Sequence, residues 1–112
     1  MIEKIVLDHL KDVTRKPVYM EVPERDAPSE YILIEKTGSS NENFITTSTL
    51  AIQSISTSLY KAAQLNVYVI EAMKSLIENN SISKCKLDSD YNFTDTETKQ
   101  YRYQAVFDIT HY

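Results

Sequence analysis

The last twelve residues, YRYQAVFDITHY, alternate between apolar and polar side chains with a period of two. This alternation is typical of a β-strand that buries one face and exposes the other. A half-buried strand needs a sheet around it and a second layer over its apolar face. The residues expected on the buried face are Tyr101, Tyr103, Ala105, Phe107 and Ile109.

The covering layer is predicted at about residues 57–79, where the apolar pattern changes to a helical period. Ser56 or Thr57 is expected to cap the N-terminus of this helix, and Asn79-Asn80 to end it. This is the longest predicted element and the expected spine of the core. Its apolar face is expected to carry Leu59, Ala62, Ala63, Val69, Ile70, Met73, Leu76 and Ile77.

A second helix is predicted at the N-terminus, over about residues 2–14. Apolar residues recur there at intervals of three and four, and Arg15, Lys16 and Pro17 supply stop signals. His9 lies on the same stripe as Ile2, Ile5, Val6, Leu10 and Val13.

The remaining segments are β-prone. The predicted strands are VYMEV at 18–22, YILIEK at 31–36, FITTSTLAIQSI at 44–55 and SKCKLDSDYNF at 83–93, and the last of these precedes a polar turn at 94–99. The order α-β-β-β-α-β-β predicts an α+β fold, in which an antiparallel sheet of about four to five strands packs on the long helix. At this length the chain, 1–112, is expected to form a single domain.

The strands at 31–36 and 44–55 are predicted to form a hairpin with a long polar loop, GSSNEN, which contains the chain's only glycine. Common hairpin loops have about two to five residues. The loop offers hydrogen-bonding groups and almost no apolar area, so we interpret it as a contact arm that binds a partner. Its residues are Gly38, Ser39, Ser40, Asn41, Glu42 and Asn43.

Composition excludes several classes of protein. A chain that is 42% hydrophobic and 25% charged is expected to fold. The net charge of −4 gives no basic surface to hold phosphates, so specific nucleic-acid binding is not expected. One cysteine cannot form an internal disulfide. No apolar run is long enough to span a membrane, and the charged N-terminal segment is unlike a signal peptide.

No catalytic residue and no cofactor-binding residue is predicted, and the chain is expected not to be an enzyme. His9 is expected to be a satisfied, partly buried histidine, and His111 to be exposed near the C-terminus. Cys85 is flanked by Lys84 and Lys86, which could lower its pKa, but a lone cysteine in a strand is more often a small buried apolar group.

Metal and nucleotide sites are not predicted either. Asp88, Asp90, Asp95 and Glu97 lack the spacing, the glycine and the closing glutamate of a calcium-binding loop, and we interpret them as solvated turn charges. A single glycine also excludes the glycine-rich loops that bind phosphates.

Longer segments carry a resemblance to a known family. They are MIEKIVLDHL, PVYMEVPE, YILIEKTG, LAIQSISTSLYKAAQLNVYVIEAM and KLDSDYNFTDTETKQYRYQAVFDITHY. Together they cover nearly the whole chain and resemble the small tail terminator, or tail-completion, proteins of siphophages and prophages of Gram-positive bacteria. The resemblance extends over the whole sequence and includes no short catalytic motif.

The resemblance implies a structural virion protein that assembles as a ring, typically a hexamer, at the head-proximal end of the tail tube. Such a ring stops tube growth and joins the tail to the filled head. The implied partners are other copies of the chain, the major tail tube protein and a head-completion or neck protein. The implied location is the virion tail, after assembly in the host cytoplasm.

Two features of the sequence suit such a ring. A ring requires one patch of each subunit to meet a different patch on its neighbour, and the loop from Gly38 to Asn43 is a plausible arm for this contact. DNA must pass through the ring, and a lumen without clusters of Lys and Arg would not retain it.

Two alternatives stay open at this point. A head-completion or stopper protein of the phage neck would contact the portal side rather than the tail tube. A small α+β ligand-binding domain or enzyme would instead use tyrosine and threonine side chains of the open sheet face to line a pocket.

Overall fold

The computed structural model describes residues 2–23, 25, 27–98 and 100–112. Its elements confirm the predicted α+β class, with two helices on a five-stranded sheet. In chain order they are α1 (Ile2–Thr14), β1 (Val18–Tyr19), β2 (Tyr31–Glu42), β3 (Ile45–Ser56), α2 (Leu59–Lys74), a 3-10 helix (Ser75–Glu78), β4 (Ile82–Asn92) and β5 (Tyr101–His111).

The strands lie in the order β1-β2-β3-β5-β4. Neighbours are antiparallel except for β1, which pairs with β2 in parallel through Val18 and Tyr19. The predicted antiparallel sheet is therefore confirmed for β2 to β5, and β1 adds one parallel pair at the edge. The connection after β1 contains Pro23 and Pro28 and is too long for a tight hairpin turn, so the chain can re-enter the sheet in the same direction. Glu24 and Asp26 of this connection lie outside the described residues.

One face of the sheet is covered by both helices. From α2, Val69 and Met73 are fully buried, and from α1, Val6 and Leu10 are fully buried, so the middle of each predicted stripe faces the core. The prediction is wrong at the ends of the stripes, where Val13, Leu59 and Ile77 are exposed. The buried helix residues pack on alternate side chains of the strands, among them Ile32, Ile34, Leu50, Ile52, Ala105, Phe107 and Ile109. The alternation predicted for the last strand is confirmed for Ala105, Phe107 and Ile109, whereas Tyr101 and Tyr103 are half-buried.

The long helix begins slightly later than predicted. Ser58 is its N-cap, with a hydroxyl that accepts a hydrogen bond from the backbone N–H of Lys61 at 3.2 Å. Ser56 is instead the last residue of β3, and its hydroxyl donates to the carboxylate of Glu30 at 2.8 Å. The predicted stop is confirmed, since Asn79 caps the 3-10 helix that extends α2.

The predicted GSSNEN loop does not exist as a loop. Residues Gly38–Glu42 continue β2 and pair with β3, as in the pairs Ser40 with Thr47 and Glu42 with Ile45. The turn contains only Asn43 and Phe44, whose φ angles of 51° and 67° suit a two-residue turn of type I′. Serine and asparagine suggested a loop here, but an exposed strand accommodates polar side chains on both faces.

Gly38 follows an irregularity in the ladder, because the pairing register shifts between Lys36 and Gly38. Its φ is not positive, and a Cβ at this position would meet no atom within 4 Å. The only glycine is therefore not required by the backbone conformation or by packing.

The sheet extends beyond the helices that cover it. Twelve residues of β3 span about 40 Å, whereas sixteen residues of α2 span about 24 Å. The molecule is accordingly elongated, with extents of 44 × 25 × 25 Å. The far end of the β2–β3 hairpin, residues 37–47, is named the hairpin arm below.

Candidate assembly surfaces

His9 has a structural role, as predicted. Its Nε2 lies 2.8 Å from the carbonyl oxygen of Ala72 and 3.0 Å from Oγ of Ser75. A carbonyl can only accept, so Nε2 carries the proton and donates to Ala72. The half-buried imidazole thus ties α1 to the end of α2.

His111 is half-buried rather than exposed, so that prediction is wrong. Its Nε2 lies 2.9 Å from Oγ of Ser48, a residue with no exposed surface. The two side chains lie on the same sheet face, because Ser48 pairs with Ile109 two residues before His111. The contact anchors the end of β5 to β3.

Cys85 behaves as a small apolar group, as predicted. It is half-buried beneath α2, and burial raises the pKa of its thiol to about 11. Lys84 and Lys86 do not offset this effect, since alternate residues of a strand point to opposite faces of the sheet. Few Cys85 side chains are thiolates near neutral pH.

The acidic residues predicted as solvated turn charges divide between a strand and a turn: Asp88 and Asp90 are exposed residues of β4, so the prediction is wrong for them, whereas Asp95 and Glu97 follow the strand. Within the described ranges, no group of three or more His, Cys, Asp or Glu side chains converges. Asp95 caps its own turn, since its carboxylate accepts hydrogen bonds from the backbone N–H groups of Glu97 and Thr98. These hydrogen bonds lower the pKa of the Asp95 carboxyl. Lys99, in the predicted turn at 94–99, lies outside the described residues. Across the described parts of the chain, no helix is both long and apolar enough to cross a membrane.

The predicted contact residues lie together on the hairpin arm. Gly38, Ser39, Ser40, Asn41, Glu42 and Asn43 are all exposed, along one strand and its turn. The sequence prediction missed the residue beside them. Phe44, assigned to the start of a strand, stands at the tip with 97% of its surface exposed. An aromatic residue directly after the asparagine of a hairpin turn was the available signal.

Both edges of the sheet have strand backbone without a described partner. On one side β1 covers only Ile32 and Leu33 of β2, so β2 is a free edge from Ile34 onward among the described residues. On the other side β4 pairs only with β5. Free strand edges can extend a sheet into a neighbouring molecule.

The sheet face away from the helices carries an ordered set of polar side chains. Gln53 donates to Oε1 of Gln104 at 3.2 Å, and Gln104 in turn donates to the hydroxyl of Tyr91. Arg102 donates to Gln53 at 3.2 Å and lies 5.1 Å from the ring centroid of Phe93. These side chains form hydrogen bonds with one another, so this face is a preformed polar surface.

A groove of about 420 Å³ lies between α2 and the free edge of β4. Its apolar lining is formed by Ile70, Met73, Cys85, Leu87 and Phe107. Lys74, Lys84 and Lys86 also line it. The groove exists because α2 covers the central strands more completely than the edge strand, which leaves Leu87 37% exposed.

The fold has a counterpart among solved structures. A chain from the virion of a native gene transfer agent (GTA) particle is similar to this protein, with a TM-score of 0.58 over 95% of this chain and 90% of that chain. The two sequences are 10% identical, so the likeness concerns the fold. No family model and no curated protein matches the sequence.

Proposed function

We propose that this chain is a tail terminator, a structural virion protein of a long, non-contractile phage tail. It forms a ring, typically a hexamer, at the head-proximal end of the tube, stops tube polymerisation and joins the tail to the head. The observation that carries the proposal is the fold likeness to a chain of a gene transfer agent virion over nearly the full length of both chains. The sequence resemblance to tail terminators supplies the specific role.

The arrangement of surfaces supports a ring. A closed ring needs two different patches on each subunit, placed so that neighbours contact in head-to-tail fashion. The hairpin arm extends β2 and β3, whereas the free edge of β4 lies on the other side of the sheet. Each subunit therefore has two distinct surfaces that can be occupied at once.

A non-catalytic role is part of the proposal. The two histidines form hydrogen bonds within the fold, and the raised pKa of Cys85 disfavours the thiolate. The net charge of −4 also suits a ring whose lumen lets DNA pass without binding it. The adjoining partners proposed are the major tail tube protein on one side and a neck protein on the other.

Deletion of the gene from its phage or prophage, followed by electron microscopy of the lysate, tests this proposal. A tail terminator predicts unjoined tails of irregular, extended length beside filled heads. Tails of normal length beside heads that have lost their DNA would instead indicate a stopper protein of the neck. Normal, joined virions would overturn a structural role.

A further inference from the structure

The sheet has two free edges of similar length. Among the residues that the structure describes, β1 covers β2 only as far as Leu33, so the outer side of β2 is free from Ile34 to Glu42. The outer side of β4 is free over all 11 residues, from Ile82 to Asn92. A free strand edge has unpaired N–H and C=O groups that can pair with a strand of another molecule.

The directions of the two edge strands suit a head-to-tail array. β2 and β4 run in opposite directions, because each step from β2 through β3 and β5 to β4 is antiparallel. A second copy that lies beside β4 in the same orientation therefore presents its β2 antiparallel to β4. Such a contact joins two different edges and repeats from copy to copy, as a heterologous ring requires.

Each edge strand contains an extra residue near its middle. Thr37 of β2 has no partner in β3, and Asp88 of β4 has no partner in β5. Such bulges usually prevent pairing at an edge, because they disrupt the alternation of the backbone groups. Two bulged edges can still pair where their extra residues meet. In the antiparallel register that places Asn41 opposite Cys85, Thr37 lies opposite Ser89, the residue after Asp88.

The backbone groups of β2 that point outward can be assigned from one hydrogen bond. The N–H of Ile32 donates to the carbonyl of Pro17 at 2.9 Å, on the outer side of the strand. Backbone groups of alternate residues point to the same side of a strand, and the extra residue Thr37 shifts this alternation by one. The outward residues on the free edge of β2 are Ile34, Lys36, Ser39 and Asn41.

The outward residues of β4 follow in the same way. The N–H of Phe93 donates to the carbonyl of Arg102 at 2.9 Å, on the inner side of the strand, so the residue before Phe93 points outward. Asp88 shifts the alternation by one. The outward residues are Asn92, Asp90, Leu87 and Cys85. In the register above each of them meets an outward residue of β2, in the pairs Ile34–Asn92, Lys36–Asp90, Ser39–Leu87 and Asn41–Cys85.

The charged side chains are complementary in the same register. Glu42 lies opposite Lys84 on the sheet face away from the helices, and Lys36 lies opposite Asp90 on the other face. Within the described parts of the chain these four side chains form no ion pair. Opposite charges on directly opposed residues stabilise a strand pair. A shift of two residues in either direction would keep at most one of the two charge pairs and would separate the bulges.

We propose that the free edge of β2 in one copy pairs in antiparallel fashion with the free edge of β4 in a second copy, with Asn41 opposite Cys85. This rests on the proposed function, since the pairing repeats around the terminator ring and joins the sheets of all copies. Backbone hydrogen bonds hold the two edges together, and the bulges and charges fix the register. Repetition around the ring strengthens a contact that is small in a single pair.

Disulfide formation between single-cysteine variants tests the register. Directly opposed residues that share no backbone hydrogen bonds have Cα atoms about 4.5 Å apart, within the range of a disulfide. Diagonal neighbours are about 7–8 Å apart, which is too far. Each variant carries Cys85→Ser, which removes the native thiol, and one new cysteine at an exposed position. The four substitutions are Ser40→Cys and Glu42→Cys on β2, and Lys84→Cys and Lys86→Cys on β4.

One β2 variant and one β4 variant are mixed in a glutathione redox buffer, both as concentrated protein and on tails completed with the mixture. The proposal predicts covalent heterodimers from the opposed pairs, 42 with 84 and 40 with 86. The diagonal pairs, 42 with 86 and 40 with 84, are the matched controls and should give severalfold less. Equal yields from opposed and diagonal pairs, or no disulfide from either opposed pair, would overturn the proposal. A β2 variant that links mainly to itself would also overturn it.

Charge reversal on the other face of the sheet gives an independent measure. Lys36→Glu, added to the Ser40→Cys variant, should reduce the yield of the disulfide between 40 and 86 severalfold, because it places a carboxylate opposite Asp90. Asp90→Lys in the partner variant should restore the yield. Failure to restore it would contradict the register. If the disulfides fail to form while deletion of the gene still gives overlong tails, the edge pairing is wrong and the tail terminator function stands.

Discussion

Three non-glycine residues among those the structure describes have positive φ, and two of them, Arg15 and Phe44, are residue types that rarely adopt this conformation. Arg15 (φ 60°) follows α1 in the position where glycine usually ends a helix, and its N–H donates to the carbonyl of Lys11 at 3.1 Å. Asn43 is well suited to the left-handed region, whereas Phe44 is not. Conversely, the one glycine, Gly38, does not use its conformational freedom. Gly38 is the residue that the sequence indicates for an unusual backbone conformation, but the unfavourable positive φ lies at Phe44.

Gly38→Ala should therefore stabilise the protein. Alanine restricts the unfolded chain, and the folded site accepts its Cβ without contact, so the free energy of unfolding should rise by about 0.4–1 kcal/mol. Urea unfolding monitored by circular dichroism measures the change. A clear loss of stability would mean that the register shift before Gly38 needs glycine.

Glu30 should make the free energy of unfolding decrease at acidic pH. Partial burial raises the pKa of its carboxyl, but hydrogen bonds from Lys16 at 2.7 Å and Ser56 at 2.8 Å outweigh this, so the net pKa falls below the ordinary 4.5. A lowered folded pKa stabilises the protein above the unfolded pKa, and the stability is lost as pH falls through the folded value.

The variant Glu30→Gln should lose about 1 kcal/mol or less at pH 7, since Lys16 is partly exposed. Its stability should approach that of the wild type as the pH falls below 4.5 and through the lowered pKa of the folded Glu30 carboxyl. Melting curves of both proteins from pH 3 to pH 7 give the comparison. A constant difference across this range would show that Glu30 contributes by packing alone.

At the scale of elements, the strongly periodic segments were predictable. The stripes of α1 and α2 and the alternation of β5 each repeat over many residues and match the observed burial over most of their length. They fail at the helix ends, where Val13, Leu59 and Ile77 are exposed. The hairpin arm was misread because its composition resembles a loop, and only pairing with β3 reveals a strand. The parallel β1–β2 pair, the free edges and the α2–β4 groove depend on how distant segments pair, which local patterns do not encode.

Met73 tests the assignment of the α2 face. It is fully buried, so Met73→Asp would place an unpaired carboxylate in the core at a cost of several kcal/mol, against a total stability of about 5–15 kcal/mol. We expect the variant to be unfolded or to melt far below the wild type by circular dichroism. Val67→Asp, on the exposed side of the same helix, is the control and should melt normally.

The hairpin arm can be shortened without dismantling the sheet. Deleting residues 38–43 would remove paired strand, so a milder change replaces residues 42–45 by Asn-Gly between the partners Asn41 and Thr46. This variant should melt within a few degrees of the wild type, because only one strand pair and the exposed tip are lost. It should fail to complete tails if the tip carries the contact.

Substitution of the polar arm residues separates two interpretations of the arm. Ser39→Ala with Ser40→Ala leaves Phe44 in place and removes hydroxyl groups that the sequence indicated as the contact. Normal tail completion by this variant, together with failure of the shortened one, would assign the contact to the tip. The reverse result would return it to Ser39 and Ser40.

At the scale of the whole molecule, the fold provides a rigid sheet with one face covered by helices and distinct surfaces on its two sides. One small chain carries the hairpin arm, the α2–β4 groove and, on the sheet face away from the helices, the hydrogen-bonded side chains of Gln53 and Gln104. Several surfaces that act at once suit a subunit with neighbours on more than one side. This combination is the physical basis of the proposed position between tube and head.

The central claim, that the chain stops tube growth, is tested most directly by tube length. Purified wild-type protein is added in increasing ratio to tail tube protein that polymerises from tails lacking the terminator, and lengths are measured by electron microscopy. The account predicts that mean length falls as the ratio rises and that treated tails then join filled heads. Lengths that do not change at any ratio, with tails that never join heads, would contradict it.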